Sequence, residues 1–311
     1  MAVYFDIDYL PAFHNAVITT GFFDGVHQGH KAILQQVVTH AEKINGESVL
    51  ITFEPHPRKL LFPEQPIKLI TPLAPKLHYL AQAGIQHVVV VPFTRQFADL
   101  SADEYIEDFL VKKFHPRSII IGYDHHFGHD RKGNISLLKQ YQSTYSYEVV
   151  EIPAQLIDEA TVSSTKIRKA LDNGSVADAA HMLGRYYSIR GIVIKGKQLG
   201  RTLGYPTANI LALSDEYIIP ARGIYAVRVI HDGMQYGGMM SIGYNPTVTD
   251  EKTIRLEVNI FNFDKDIYDE EIEIQFIAWL RNEEKFTSLD ELTKQLEKDK
   301  VNNIDILSKI V

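Results

Sequence analysis

The sequence predicts an α/β domain built on a doubly wound parallel sheet, followed by a small antiparallel β-barrel with a terminal helix. Three observations lead there. The chain has 311 residues, more than one hydrophobic core ordinarily organises. Up to residue 152, short apolar runs alternate with amphipathic stretches, as when strands are covered by helices on both faces. Beyond residue 186 the amphipathic stretches stop, and strand-like segments follow one another across turn residues.

Residues 16–20 read as the first strand, followed by a glycine-rich turn, a helix over 29–44 and a strand over 48–53. A helical pattern over 72–83 stops at Gly84, and the β-branched run 87–91 is a strand. Ser101, with Glu104 three residues on, forms a capping box that opens a helix. Strands follow over 118–121 and 147–152, with a helix over 135–141 between them. Of two short helices, one over 165–171 ends at Asn173-Gly174, and the other is capped by Ser175 and ends at Gly184. The domain boundary falls there, giving domains 1–184 and 185–311. In the second, 188–195, 224–230, 235–242, 253–261 and 271–277 read as strands, and antiparallel pairing needs no crossover helix. Ser288 and Glu291 form the capping box of the terminal helix.

Composition narrows the function. No window approaches the roughly 18 consecutive apolar residues of a membrane span, and the start lacks a basic segment leading into an apolar one. Cysteine is absent, which removes disulfides, thiolate metal sites and a cysteine nucleophile and fits a cytoplasmic location. The formal net charge is −7, with lysines and arginines scattered, whereas a nucleic-acid grip needs a basic stripe. Small barrels also bind single strands through stacking rings, and 16 Tyr and 15 Phe supply the rings without the basic groove.

Thr19-Thr20-Gly21-Phe22-Phe23-Asp24-Gly25-Val26-His27-Gln28-Gly29-His30 is the most informative stretch. Gly21 and Gly25 let the backbone turn tightly and approach a ligand. The helix that follows turns free N–H groups and its positive end toward that turn, which favours phosphate. His27 and His30 flank Gly29 and can face the same anion, stabilising charge on a transferring phosphate or on leaving pyrophosphate. Zinc would need further ligands at a supporting spacing, and none follows. A second anion receptor is spelled by Ser163-Ser164-Thr165-Lys166-Ile167-Arg168, with hydroxyls at a helix start and a guanidinium one turn in. The run His125-His126-x-x-His129 has metal-like spacing, but its glycine-flanked, aperiodic setting reads as an exposed loop.

The barrel half opens with Gly191, Gly196, Gly200 and Gly204, enough glycine for a flap whose amides wrap phosphates or, equally, for hairpin turns. Thr207 and Asn209 are two apart and face the same way in an extended segment, where a hydroxyl and an amide oxygen can hold Mg²⁺ or a nucleotide phosphate. Over 253–261, Ile254, Leu256, Val258 and Ile260 alternate with Arg255, Glu257, Asn259 and Phe261. Glu257 can act as a base if its face meets the Thr207/Asn209 loop; otherwise it is a solvated strand position.

The H-x-G-H and S-S-T-x-I-R pair resembles the nucleotidyltransferase domain of bacterial FAD synthetases. ITFEPHP at 51–57, FTRQFA at 93–98, and Gly122-Tyr123-Asp124 leading to Phe127-Gly128 match in order. Phe22, where a small polar residue is common, and His125-His126, in place of Phe-Arg, depart from that pattern. The second half resembles riboflavin kinase through GRTLGYPTAN at 200–209, GIYA at 223–226, IGYNPT at 242–247 and Leu256-Glu257. The resemblance implies a Rossmann-like first domain that moves AMP from ATP onto FMN, giving FAD and pyrophosphate. It implies a six-stranded second domain that phosphorylates riboflavin with MgATP. Carried over, Gly21, Phe23, Gly29, Ser163, Ser164 and Thr165 bind ATP, His27, His30 and Arg168 are catalytic, and Asp124 and Phe127 lie near the flavin. In the second domain Gly196, Gly200, Thr207 and Asn209 bind ATP, Thr207 and Asn209 hold Mg²⁺, and Glu257 is the base. Related H-x-G-H domains adenylylate nicotinamide mononucleotide or phosphopantetheine, or cytidylylate small alcohols, and the attached kinase-like half argues against those acceptors.

Overall fold

The computed structural model describes residues 1–123, 125–152, 162–196, 200, 204–244 and 254–310. It divides into two compact units, Met1–Ser164 and Thr165–Val311.

The first unit is built on six parallel strands: β1 (Ala2–Tyr4), β2 (Val17–Thr20), β3 (Ser48–Glu54), β4 (His87–Pro92), β5 (Ser118–Gly122) and β6 (Glu148–Ile152). They lie in the order β1-β4-β3-β2-β5-β6. Alternate residues supply two cores. Val49, Ile51 and Phe53 of β3 face a cluster with Tyr105, Ile106 and Phe109, while Leu50 faces one with Leu34, Val37 and Leu80. Both faces are therefore apolar, which is why these strands read as continuous hydrophobic runs. Helices α1 (Gln28–Lys43), α2 (Pro57–Leu61) and α3 (Leu73–Gln82) connect β2, β3 and β4. The strand order reverses between β2 and β5, so the carboxyl ends of those two strands form the crevice where open α/β sheets place ligands. The glycine-rich turn leaves β2 there.

The second unit begins with helices Ser164–Asp172, whose first residue belongs to the other unit, and Val176–Leu183. Six antiparallel strands follow: β7 (Tyr187–Ile194), β8 (Ala208–Ala212), β9 (Gly223–His231), β10 (Met234–Tyr244), β11 (Ile254–Ile260) and β12 (Glu271–Arg281). They close in the order β10-β11-β8-β7-β12-β9. Inward residues such as Ile189, Val193, Ile210, Val258 and Phe276 are buried and fill the barrel. The terminal helix Leu289–Ser308 docks on it through a half-buried pair, Arg281 Nε donating to Asp299 Oδ1 at 3.1 Å and Oδ2 at 3.0 Å.

Four details differ from the sequence-based expectations. Strands β1 and β8 were not expected: β1 has three residues, too few to show a period, and β8 begins where the glycine- and proline-containing stretch read as a loop ends. The helix opened by Ser101 keeps its capping box but passes into a π-helical segment at Tyr105–Val111. Ser175 starts its helix without a side-chain cap. In the terminal box Ser288 accepts the Glu291 N–H at 3.2 Å as expected, while the Glu291 carboxylate also reaches the Thr287 N–H and hydroxyl, one residue further back.

Candidate active sites

In the first unit the turn after β2 is held in a conformation it would not adopt alone. Phe23 (φ 50°), Gly25 (φ 89°) and Val26 (φ 38°) all have positive φ, which is uncommon for phenylalanine and strained for a β-branched valine. The restraints come from the chain just before and within α3. The buried Asp24 carboxylate accepts from the N–H of Ile70 at 3.2 Å and of Thr71 at 3.0 Å. The Gly25 N–H donates to Thr71 Oγ1 at 2.8 Å. At the other end of the turn, the Phe22 carbonyl accepts from Thr52 Oγ1 at 3.3 Å and from Lys76 Nζ at 3.4 Å.

His27 caps α1, its Nδ1 accepting the His30 N–H at 3.3 Å, which leaves Nε2 as the protonated donor nitrogen. The two imidazoles stack with centroids 3.6 Å apart and planes 15° apart, and Phe23 backs His30 at 5.0 Å. A Cβ added at Gly29 would come within 3.3 Å of the His27 ring, so glycine makes room for the stack. No acidic residue occupies the first turn of α1, which suits its positive end to an anion. Ser164 closes this side, its hydroxyl donating to the Asp24 carbonyl at 3.0 Å. The expected Gly21, Phe23, His27, Gly29, His30 and Ser164 therefore meet around one turn. Ser163 is exposed nearby in sequence; Thr165 (exposed) and Arg168 (half-buried) continue the helix into the second unit. Phe127 is buried against Tyr105, ring centroids 4.9 Å apart, and Asp124 lies outside the described residues.

Tyr105 in turn bonds Thr20 at the end of β2 at 3.0 Å, and burial pushes its phenol far above the usual range. Among the described residues no group of three or more His, Cys, Asp or Glu is arranged to hold a metal. His129 instead pairs with Asp99 at 3.6 Å and Asp130 at 3.5 Å.

In the barrel, strand register decides the second site. Glu257 on β11 lies directly opposite Asn209 on β8 and, on its other side, opposite Ser241 on β10. Since Leu256, Val258 and Ile210 point inward, Glu257, Asn209 and Ser241 share the outer face. Arg255 Nη1 stands 3.5 Å from Glu257 Oε1, and buried Asn259 donates from Nδ2 to the Pro206 carbonyl at 2.7 Å, fastening the approach to Thr207. The glycines fit the same place. A Cβ at Gly196 would lie 2.0 Å from Asn209 Nδ2, and one at Gly200 would lie 2.2 Å from the Tyr205 carbonyl and 3.5 Å from Thr207 Oγ1. Beside Thr207 a cavity is lined by Val193, Val258, Phe263 and Ile267 together with the charged Lys265 and Asp266. Residues 201–203 and 245–247 of the quoted motifs lie outside the described residues.

Sequence reading missed Asp24, Thr52, Thr71 and Lys76, whose partners are distant in the chain, and Asn259, although its alternation with Glu257 puts it on the right face. Gly196→Ala is expected to displace the Asn209 amide and so to raise the KM of any nucleotide that this face binds about 10-fold or more. Steady-state kinetics with ATP varied checks this, and an unchanged KM would mean the amide does not serve the nucleotide.

Comparison with known proteins finds one family in each part of the chain. The family model for FAD synthetase matches residues 10–166, and that for riboflavin kinase matches 183–307. The bifunctional riboflavin kinase/FMN adenylyltransferase of Listeria monocytogenes is 37% identical over 95% of this chain and 94% of its own. Its namesake from Escherichia coli K12 is 36% identical over 92% and 90%. A solved structure described as a macrolide-efflux protein from Streptococcus pneumoniae superposes with a TM-score of 0.86 at 33% identity, covering 96% of both chains. No described helix of the present chain is long and apolar enough to cross a membrane.

Proposed function

The chain belongs to the family of bifunctional riboflavin kinases/FMN adenylyltransferases, and from that premise we propose how its residues divide the two reactions. The protein phosphorylates riboflavin to FMN with ATP and adenylylates FMN to FAD with release of pyrophosphate. Residues 185–311 form the kinase domain and 1–184 the adenylyltransferase domain in this reading, and the protein acts in the cytoplasm.

In the kinase, Glu257 accepts the proton of the ribityl 5′-hydroxyl as that oxygen bonds to the γ-phosphorus and the bond to the leaving ADP oxygen breaks. The observation that carries this assignment is the register pairing of Glu257 with Asn209 on one outer face. Gly196 and Gly200 let backbone approach the phosphates. Thr207 Oγ1 and Asn209 Oδ1, hard oxygens beside a carboxylate, fit a magnesium ion, which when bound would neutralise charge on the phosphates. The cavity beside Thr207, which sets Lys265 and Asp266 against apolar side chains, offers a purine an apolar face and polar partners for its edge.

In the adenylyltransferase, an FMN phosphate oxygen attacks the α-phosphorus of ATP in line, and the bond to pyrophosphate breaks. The amide end of α1, with His27 and His30, takes up the charge that grows on pyrophosphate. Gly21, Phe23, Gly29, Ser163, Ser164 and Thr165 line the ATP, and Arg168, one turn along the helix that Ser164 opens, adds a guanidinium. Asp124 and Phe127 serve the flavin.

The overall reading is tested by incubating the full chain with riboflavin, ATP and Mg²⁺ and separating flavins over time. FMN is expected to rise first and then convert to FAD, with riboflavin unchanged when magnesium is chelated. FAD appearing without an FMN phase that added FMN can feed would contradict the order.

A further inference from the structure

Lys76 is the one lysine that is buried among the described residues, 5% exposed on the inner side of α3. Its neighbours on that side, Leu73, Leu77 and Leu80, are apolar and pack in the core between α1, α3 and the sheet. A cation is a costly occupant of such a stripe. Burial lowers the pKa of its ammonium, and the carboxylates of Glu54 and Asp24 oppose that fall. The ammonium reaches Thr52 Oγ1 at 3.2 Å and the Phe22 carbonyl at 3.4 Å, and the Thr52 hydroxyl donates to the same carbonyl.

We propose that Lys76 is a positioning residue for adenylyl transfer, its buried ammonium holding the Phe22 carbonyl and with it the strained turn that receives the triphosphate. The inference rests on the assignment of that turn to ATP. A peptide unit is planar and trans, so its C=O and N–H point in opposite directions. Holding the Phe22 oxygen toward α3 therefore aims the Phe23 N–H away from α3. The turn needs such a hold because Phe23 and Val26 sit at positive φ, and Asp24 anchors its far end, through the backbone of Ile70 and Thr71. Thr52 alone supplies one neutral donor, whereas a charged donor bonds the carbonyl more strongly.

The test compares Lys76→Met, Lys76→Arg and His30→Ala in the full chain, measuring FAD formation from supplied FMN at varied ATP together with thermal unfolding. Methionine has nearly the length of lysine but leaves the Asp24 and Glu54 carboxylates without their cation, so K76M is expected to unfold at a lower temperature than wild type while staying folded under assay conditions. Its kcat for FAD formation is expected to fall about 30-fold or more with KM for ATP within about 3-fold, since the loss is of transition-state positioning. K76R, which keeps a cation, is expected to recover to within about 5-fold of wild type. The proposal is overturned if K76M keeps kcat within about 3-fold of wild type. It is also overturned if K76R is no better than K76M, or if the loss of rate matches a loss of folded protein in both. Should K76M fail to fold, Lys76→Gln takes its place under the same criteria. An H30A protein with undiminished FAD formation would instead remove the ATP assignment, whereas an inactive H30A beside an active K76M removes only the role of Lys76.

Discussion

Glu257→Gln is expected to stop riboflavin phosphorylation while FAD formation from supplied FMN continues at the wild-type rate. Glutamine keeps the shape of the side chain and its place opposite Asn209 but cannot take a proton. A positioned general base contributes about 10²–10⁴-fold, so kcat for the kinase step falls by that order with KM for ATP nearly unchanged. Arg255, 3.5 Å from the carboxylate, keeps the amide oxygen as a partner, which limits rearrangement of β11. The measurement is single-turnover conversion of riboflavin to FMN, scored beside FMN adenylylation in the same preparation. Retention of more than about a tenth of the rate would mean that another group takes the proton.

His30→Ala is expected to give the reverse pattern. Removing one preorganised donor from an oxyanion-type site typically costs about 10²–10³-fold, and the loss here falls on pyrophosphate release from ATP and FMN. Kinase activity should persist, because no residue assigned to it lies in the first unit. The ring also packs on Phe23, so alanine leaves a gap beside the turn; His30→Leu, which fills it without a hydrogen-bond donor, separates packing from charge stabilisation. If the histidine acts on developing charge, both variants lose kcat alike; if it only supports Phe23, H30L recovers. Should E257Q and H30A each depress both activities equally in folded protein, the division into two sites is wrong.

Much of this was legible in the chain because local rules carried it. Glycines at positions 21 and 25, a histidine at a helix start and the absence of acids in the first turn of α1 are properties of adjacent residues. The alternation of β11 placed Glu257 and Asn259 on one face before any partner strand was known. Lys76 left a weaker trace: a cation among Leu73, Leu77 and Leu80, at the spacing of an apolar helical stripe. That pattern flags a buried charge but not its partners, since Thr52 and Phe22 are 24 and 54 residues away.

By itself the sequence determined which segments are strands covered on both faces, where the period changes from parallel to antiparallel architecture, and which residue types gather at the two glycine-rich stretches. Only the tertiary structure decided that Glu257 faces Asn209, that Ser164 reaches the carbonyl of Asp24, and that Asp24 and Lys76 anchor opposite ends of one strained turn. The reason is physical. Propensity, capping and periodicity act within a few residues, whereas register and the pairing of buried polar groups are set when distant segments close on each other. There each desolvated donor must find its acceptor, and a slip of one residue would turn Glu257 into the barrel.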